Sequence, residues 1–490
     1  MSSIKAAVLR KQLKHPVIDC DGHWIESIPI LMDYVREIGG PGITDQFLFD
    51  RQGKWYSEGV KSARFHNRIR RLSYWDVSND ACDFSTARLP GMLRDRMDDL
   101  GIDFAIVYPT LGLTIESIPD PELRQTVVRA YNTMARDMFA PFRDRMTPVA
   151  VIPRFSPEEA IAEVKYAVRE LGFKAVMING TFLRTIPASK DKGGKEKYLE
   201  TLGLDNEQSY DPLWQTCVDL GVAVTSHGGS SSWPNRSSVS NYVYNHVGHF
   251  AEANHAFAKA LFLGGVPKRF PTLNFAFLEG GTGWARNLLS DLIGHWEKRS
   301  YEPMQENLRP DRLNVAQVRA CIEQYGTERM KAKIDEVLQS YVSRLSGLDL
   351  TQLTERETDI DDFAAVGARS ANQLADLFCR NFHFGCEADD PMTGVAFDPR
   401  MRGRLRAVFS SDFAHWDVPV MADVLPEAFE LVEKKFLDEP AFREFTFSNA
   451  VWLHSRNNGH FFRETVVEQE ALIELKSQLG KRAMKTVAAE

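Results

Sequence analysis

The segment "VIDCDGHW" (17–24) places three polar side chains, Asp19, Asp21 and His23, at every second position of an otherwise mostly apolar run. In a β-strand, residues two apart point to the same face. Two carboxylates and an imidazole would therefore converge on one small volume, where burial without a partner is costly. A metal ion is the partner that this combination of side chains favours.

Polar residues also end three later apolar runs. His227 closes "GVAVTSH", Glu279 closes "TLNFAFLE", and Asp412 closes "RAVFSSD", with His415 three residues further on. Taken alone, Asp412 is better interpreted as a helix N-cap, and His415 either as a group behind the ligands or as a solvated loop residue. The recurrence at four strand ends favours a divalent cation, zinc first and manganese or iron(II) second. The histidines of "NHVGHFAEANHA" (245–256) are interpreted as packing and surface residues.

These residues need elements that bring their strand ends together. Eight short apolar runs are mostly separated by amphipathic segments such as "SPEEAIAEVKYAVRELG" (156–172), in which Ser156 is a predicted N-cap and Gly172 a predicted stop. Apolar strands alternating with helices indicate a parallel sheet buried on both faces. The pattern predicts a (β/α)8 TIM-type barrel in the α/β class, with an open doubly wound sheet as the alternative. The predicted strands cover residues 16–20, 102–110, 147–153, 172–178, 221–227, 272–279, 381–385 and 406–412.

Two segments exceed a minimal barrel. Residues 24–95, after the first run, are predicted to contain a long lid loop, because connections of this length usually carry function. Residues 301–375 are predicted to be a helical insertion before the seventh strand, with an amphipathic helix from Ile334 to Leu345 that Gly347 terminates. The predicted domains are residues 1–300 with strands one to six, 301–375 with the insertion, and 376–490 with strands seven and eight and C-terminal helices.

The predicted lid carries "WYSEGVKSARFHNRIRRLSYWD" (55–76), which is rich in aromatic residues and arginine. Its Arg68, Arg70 and Arg71 suit a small anionic substrate, although "RIRR" fits a solvated face equally well. The predicted substrate-binding residues are Arg68, Arg71, Trp75, Trp284 and His415.

Composition limits the partners. A formal net charge of −8 over 490 residues gives no reason to expect nucleic acid or an anionic membrane. No stretch approaches the ~20 apolar residues of a membrane-spanning helix, and the N-terminus does not resemble a secretory signal. Six cysteines without a C-x-x-C pair argue against a disulfide framework or a thiolate zinc site. We expect a cytoplasmic enzyme that forms a homodimer or higher homo-oligomer.

The order of these motifs resembles the amidohydrolase superfamily, and within it the amidohydrolase-related branch of aminocarboxymuconate-semialdehyde decarboxylase and the resorcylate decarboxylases. The resemblance is carried by Asp-x-His after strand one, "YPT" after strand two, "DPLWQTCVDLGVAVTSHGG", "FPTLNFAFLEGG" and "SSDFAHWDVP". It covers most of residues 15–300 and 376–465. It implies a distorted (β/α)8 barrel with one divalent metal, and by position the implied ligands are Asp21, His23, His227 and Asp412.

The resemblance implies two alternative reactions. Decarboxylases of this branch carry a strand-six histidine as acid and base, whereas this chain has Glu279 there. We therefore predict first a hydrolase acting on an amide, lactone or C–C bond of a small organic acid. In that reaction Asp412 takes the proton of water, His227 or the metal polarises the carbonyl, and Glu279 protonates the leaving group. A non-oxidative decarboxylase of an aromatic or enoic acid comes second, and a catalytically silent barrel used for binding third.

Overall fold

Each predicted apolar run overlaps with one strand of a single parallel sheet. A computed structural model describes residues 2–71, 78–228, 238–309, 312–343 and 361–487. The residues of the sheet strands are almost all buried, as expected for strands covered on both faces. The strands of the described chain are β1 (Ile18–Trp24), β2 (Phe104–Pro109), β3 (Met146–Val151), β4 (Ala175–Met177), β5 (Thr181–Thr185), β6 (Lys197–Thr201), β7 (Val224–Ser226), β8 (Phe275–Phe277), β9 (Phe382–Cys386) and β10 (Arg406–Phe409).

The sheet is a barrel rather than an open doubly wound sheet. Its strand order, β1-β2-β3-β4-β7-β8-β9-β10, follows the chain without the reversal that defines a switch point. Beyond β10, the N–H of Asp412 donates to the carbonyl of Asp21 and the N–H of His23 donates to that of Phe413, both at 3.0 Å. These bonds bring the last strand back against the first, which confirms the predicted (β/α)8 fold. The antiparallel pair β5 and β6, between β4 and β7, was not predicted.

Helices follow most of the strands and cover the barrel. In α8 the side chain of Ser156 accepts from the N–H of Glu159, whose carboxylate accepts in return from the N–H of Ser156, so the predicted cap is a full capping box. The described α-helices are α1 (Ser2–Gln12), α2 (Ile28–Gly59), α3 (Lys61–Asn67), α4 (Ala81–Thr86), α5 (Pro90–Leu100), α6 (Gly112–Ile115), α7 (Pro121–Phe139), α8 (Pro157–Arg169), α9 (Asp211–Leu220), α10 (Tyr242–His246), α11 (His249–Leu263), α12 (Val266–Arg269), α13 (Gly283–Arg299), α14 (Tyr301–Asn307), α15 (Val315–Tyr325), α16 (Glu328–Ala332), α17 (Ile334–Ser343), α18 (Ala371–Asn381), α19 (Val424–Glu433), α20 (Glu439–Arg443), α21 (Asn449–Ser455) and α22 (Glu468–Val487).

The segment predicted as a long lid loop is mainly helical, so the prediction of a loop was wrong. Residues 24–95 contain α2 to α4 and the start of α5. Leu31 and Val35 are buried in the first part of α2. They lie four residues apart, a helical spacing that the sequence analysis did not consider. The helix is interrupted at Gly40, where φ is 75°, directly before Pro41. Whether this helical segment closes over a substrate stays a prediction.

The segment 301–375 is helical within its described residues. It contains α14 to α17 and the start of α18. The predicted amphipathic helix is found as α17, which starts at Ile334 and has Leu338 on its buried side. The predicted stop at Gly347 lies outside the described residues, and the assignment of a separate subdomain stays a prediction.

Two expectations from composition can be compared with the structure. None of the helices in the described ranges is long and apolar enough to cross a bilayer. All six cysteines lie in the described ranges and all are free thiols, as the sequence predicts.

Candidate metal centre at the carboxyl ends of the strands

Three side chains from two barrel strands meet at the mouth of the barrel. His23 in β1 and His227 directly after β7 place their Nε2 atoms 3.0 Å apart. The Oδ1 atom of Asp21 lies 3.6 Å from the Nε2 of His23 and 3.5 Å from the Nε2 of His227. Two nitrogens bound to one ion at about 2.1 Å, with an angle of about 90–110°, would be about 3.0–3.4 Å apart. The spacing therefore suits ligands of a common cation.

Asp412 and His415 reach the same place from the chain after β10. The Oδ1 atom of Asp412 lies 3.4 Å from the Nε2 of His23 and 2.6 Å from the Nδ1 of His415. The His415 ring stacks on the His23 ring with 3.8 Å between centroids. Its Nε2 lies 3.3 Å from the hydroxyl of Thr110, at the end of β2. Asp412 and His415 thus form a carboxyl–imidazole pair beside His23.

Glu279 forms a second carboxyl–imidazole pair after β8. Its Oε2 lies 3.1 Å from the Nε2 of His227, and its Oε1 lies 3.6 Å from the Nε2 of His246. Glu279 and Asp412 both have left-handed backbone, with φ of 53° and 50°. Such a conformation costs a non-glycine residue of order 1–3 kcal/mol and tends to occur at functional sites. Finding it at two strand ends of one cluster indicates a functional site.

Neighbouring groups fix the two histidines. The Nδ1–H of His23 donates to the carbonyl of Pro109 at 3.0 Å, which leaves the lone pair of Nε2 directed at the cluster. The backbone N–H of His227 donates to the Oδ1 of Asn179 at 3.0 Å, and the Nδ2 of Asn179 donates to Glu116 at 3.0 Å. Glu116 in turn pairs with the buried Arg154. A buried ionic network after β2 to β4 therefore holds the backbone of His227.

Asp19, the third polar residue of the opening segment, does not join the cluster. Its carboxylate accepts from the N–H and the hydroxyl of Ser411, at 3.0 and 2.6 Å, and from the N–H of Asp21 at 3.2 Å. At Gly22 a Cβ would lie 2.3 Å from the ring of Phe413. Asp19 and Gly22 thus fasten the chain after β10 to β1, which positions Asp412 beside the cluster.

The electrostatics of the cluster fit a cation. Burial, reinforced by neighbouring carboxylates, raises the pKa of Asp21, Glu279 and Asp412 well above the ordinary carboxyl range. Burial lowers the pKa of His23 well below its ordinary value and that of His227 to about 3, so both imidazoles are in the neutral form that a metal ligand needs. Within the described residues, neither oxygen of Asp21 accepts a hydrogen bond. Buried carboxylates without donors are costly unless a cation is bound, so the residues present fit a divalent ion.

Comparison with a known family agrees with this geometry. A family model described as Amidohydrolase matches residues 18–330, well over half of the 490 residues. The chain belongs to the amidohydrolase family. The matched region includes β1, β7 and β8 with the polar residues at their ends, whereas Asp412 lies beyond it. The predicted resemblance to the superfamily is confirmed.

Solved structures share the fold of this amidohydrolase. A 2,6-dihydroxybenzoate decarboxylase in complex with 2,6-dihydroxybenzoate superposes with a TM-score of 0.50 at 17% identity, covering 90% of this chain and 99% of the other. An amidohydrolase from Mycobacterium avium subsp. paratuberculosis K-10 gives a TM-score of 0.52 at 15% identity, covering 90% and 99%. At these identities the likeness shows the fold.

The predicted substrate-binding residues lie at different distances from the cluster. His415 is part of it. Arg68 is exposed at the C-terminal end of α3, and the N–H of Arg71 donates to the carbonyl of Ser238. Trp284 packs against the rings of Phe277, Phe384 and His255 rather than against the cluster histidines. Trp75 lies outside the described residues. The roles of these residues in substrate binding stay predictions.

The sequence analysis missed several groups at the site. It assigned packing to His246, whose Nε2 faces Glu279, and it did not mention Asp417, whose carboxyl group lies within hydrogen-bonding reach of Asp412. It also missed Asn179. The sequence contained a signal for Asn179. This residue lies in "MING" at the end of the fourth predicted strand, just as His227 lies in "TSHGG" at the end of the fifth predicted strand. The sequence contained no such signal for His246, because helical spacing does not show which helix returns to the barrel mouth.

Proposed function

We propose that this amidohydrolase is a metal-dependent hydrolase of a small organic acid. The observation that carries the proposal is the presence of two carboxyl–imidazole pairs, Asp412 with His415 and Glu279 with His246, on different strand ends of one cluster. Hydrolysis needs two proton transfers, one from water and one to the leaving group. Two separate pairs beside neutral histidines provide a group for each transfer.

Four residues would hold one divalent ion: Asp21, His23, His227 and Asp412. Their atoms lie at the spacings given above, and the unpartnered oxygens of Asp21 support this assignment. When bound, a divalent ion supplies Lewis acidity and a water of lowered pKa. Two imidazoles and two carboxylates suit zinc first, and manganese or iron(II) next.

The proton transfers are assigned to the two pairs. Asp412 accepts the proton of the attacking water, because a bound cation would offset the burial that raises its pKa. The Nδ1 of His415 lies 2.6 Å from the Oδ1 of Asp412. Burial raises the pKa of the Glu279 carboxyl group well above the ordinary range, which favours the protonated form that a proton donor needs. Glu279 delivers this proton to the leaving group. His227 would act on the substrate carbonyl through the ion, because its Nε2, 3.1 Å from Glu279, is one of the proposed ligand atoms.

Decarboxylation of an aromatic acid is the second candidate. It is favoured by the aromatic rings around His246, whose centroid lies 5.3 Å from that of Tyr242, 5.7 Å from that of Phe250 and 5.3 Å from that of Trp416. Such rings suit a planar substrate by stacking. A silent binding barrel is disfavoured, because strained and unpartnered carboxylates are costly to keep without chemistry to perform.

Isotope labelling separates the two reactions. The purified, metal-loaded protein is screened against lactones, amides and aromatic acids in water enriched in oxygen-18 and, in parallel, in deuterium oxide. A hydrolase places oxygen-18 in the product and releases no carbon dioxide. Release of carbon dioxide, with solvent deuterium at the vacated carbon, would replace hydrolysis by decarboxylation.

Replacement of Glu279 tests its role as the acid. Glu279→Gln keeps the shape but removes the titratable group, so we expect the rate to fall by about 10²–10⁴ with the first equivalent of metal still bound. A variant with the wild-type rate would show that Glu279 only packs at this position.

A further inference from the structure

A second group of ligand atoms lies next to the proposed metal centre. His246 at the end of α10, Glu279 after β8 and Asp417 after β10 each offer one ligand atom, and these atoms all lie within 4.8 Å of one another. Neither His246 nor Asp417 belongs to the four residues proposed to hold the first ion. One imidazole and two carboxylates are the ligand types of a divalent cation with open positions for water.

Glu279 connects the two groups. Its Oε2 faces the Nε2 of His227 at 3.1 Å, and its Oε1 faces the Nε2 of His246 at 3.6 Å. The residue is only 6% exposed, and neither of its oxygens accepts a hydrogen bond within the described ranges. With one oxygen toward each imidazole, Glu279 lies between the two groups of ligand atoms, so an ion held by His246 would be close to an ion held by His227.

His246 is held in place for such a role. Its ring contacts the rings of Tyr242, His249 and Trp416, at centroid distances of 5.3, 5.2 and 5.3 Å. Its carbonyl accepts from the Nδ1–H of His249 at 2.6 Å. These contacts fix the ring while leaving its Nε2 directed at Glu279, so the ligand is preorganised rather than recruited from solvent.

The carboxyl groups around the site, when ionised, would carry more charge than one ion balances. Five carboxyl groups interact electrostatically in this region, and one divalent ion balances only two negative charges. They are Asp21, Glu279, Glu387, Asp412 and Asp417.

We infer that His246, Glu279 and Asp417 form a second divalent cation site, weaker than the first, whose occupation inhibits the enzyme. It is weaker because it offers three protein ligands, whereas the first site offers four. The inhibition, which rests on the proposed function, follows because a cation on the Glu279 oxygens occupies the atoms that would carry the proton for the leaving group. Excess metal therefore lowers the rate that the first equivalent supports.

Manganese binding tests the site directly. The protein is freed of metal by chelation, dialysed against increasing Mn²⁺, and its bound metal is counted by mass spectrometry and observed by electron paramagnetic resonance. Mn²⁺ is chosen because it prefers oxygen and imidazole ligands over the six free thiols. We expect two equivalents, the second at higher free Mn²⁺, together with the spectrum of a coupled manganese pair.

Three variants complete the test. His246→Ala and Asp417→Asn should each bind one equivalent, lose the coupled spectrum and lose the inhibition by excess metal. The control is His255→Ala, which alters a histidine of α11 that packs on Trp284, and it should keep both equivalents. Asp417→Asn keeps the side-chain volume, so the test stands even if His246→Ala folds poorly.

The outcomes separate this inference from the proposed function. Wild-type protein that saturates at one equivalent, or His246→Ala that still binds two, overturns the second site and leaves the first assignment intact. Wild-type protein that binds no metal overturns both.

Discussion

Two aspartates of β1 offer a matched pair for measuring what the site costs the fold. Asp19 and Asp21 are both fully buried and lie two residues apart. Asp19 accepts three hydrogen bonds, whereas Asp21 accepts none within the described residues. Substitution by alanine removes the same atoms at both positions, so the cost of the cavity largely cancels in the comparison. The difference in the free energy of unfolding then reports the hydrogen bonds and the unpaired charge.

The expected magnitude follows from these contacts. Asp19→Ala leaves two backbone N–H groups and one hydroxyl without an acceptor, and three charge-assisted bonds at about 1.5 kcal/mol each amount to about 4–5 kcal/mol. Asp21→Ala leaves no donor unpaired and removes a buried carboxyl group that costs about 1–3 kcal/mol. Metal-free Asp21→Ala should therefore be at least as stable as the wild type, and Asp19→Ala much less stable.

The pH dependence has a definite sign. Because burial raises the pKa of Asp21 in the folded state, that state holds a proton which the unfolded state releases above about pH 4. The wild type thus loses stability from this group as pH rises, and Asp21→Ala does not. The advantage of the variant in chelator should grow as the pH rises above about 4.

Denaturant unfolding with chelator and with saturating metal is the assay. A ligand at 100 times its Kd stabilises the folded state by about 2.7 kcal/mol, so metal should reverse the order of the wild type and Asp21→Ala. Asp19→Ala should be the least stable in both conditions. If Asp21→Ala destabilises the chelated protein as much as Asp19→Ala does, the argument that Asp21 is kept for a cation fails.

Three further substitutions test the surroundings of the site. Gly22→Ala places a methyl group against the ring of Phe413 and should cost about 1–3 kcal/mol together with metal affinity, measured by unfolding and dialysis; an unchanged affinity would contradict the fastening role of this contact. Asn179→Ala removes the acceptor for the N–H of His227 and should weaken metal binding about 10- to 100-fold, and wild-type affinity would count against it. Burial lowers the pKa of His454 to about 3, so the unfolded state binds its proton first and stability falls as pH drops below about 6.5; His454→Phe should move acid unfolding to lower pH, and an unmoved midpoint would refute this.

The barrel was predictable from the sequence because its strands are buried on both faces. Eight continuous apolar runs separated largely by amphipathic segments are compatible with few folds. Each run overlaps with a barrel strand. The ligand candidates followed because the active site of such a barrel lies at the carboxyl ends of its strands. Asp21, His23, His227, Glu279 and Asp412 all lie there, within one cluster.

The parts that were not predictable depend on the paths of connections. The helices of residues 24–95 were interpreted as a loop, because attention to arginine and aromatic content hid the helical spacing of Leu31 and Val35. His246 reaches Glu279 only because α10 returns to the barrel mouth, and no local pattern encodes that return. The alternation that groups Asp19 with Asp21 and His23 fails because β1 is irregular between Asp19 and Gly22.

The residues that lower the stability of this fold lie at the proposed metal centre. Glu279 and Asp412 each carry left-handed backbone, and Asp21 carries an unpartnered carboxylate, while the surrounding strands are paired and buried. The left-handed backbone at these two strand ends sets the direction of the Glu279 and Asp412 side chains. Both side chains face histidines of the cluster. A cation offsets the electrostatic cost but not the backbone strain, so the barrel must supply the stability that keeps both residues in place. Chelation should therefore empty the site while leaving the secondary structure unchanged, which circular dichroism can measure, and unfolding on chelation would show that the metal holds the barrel together.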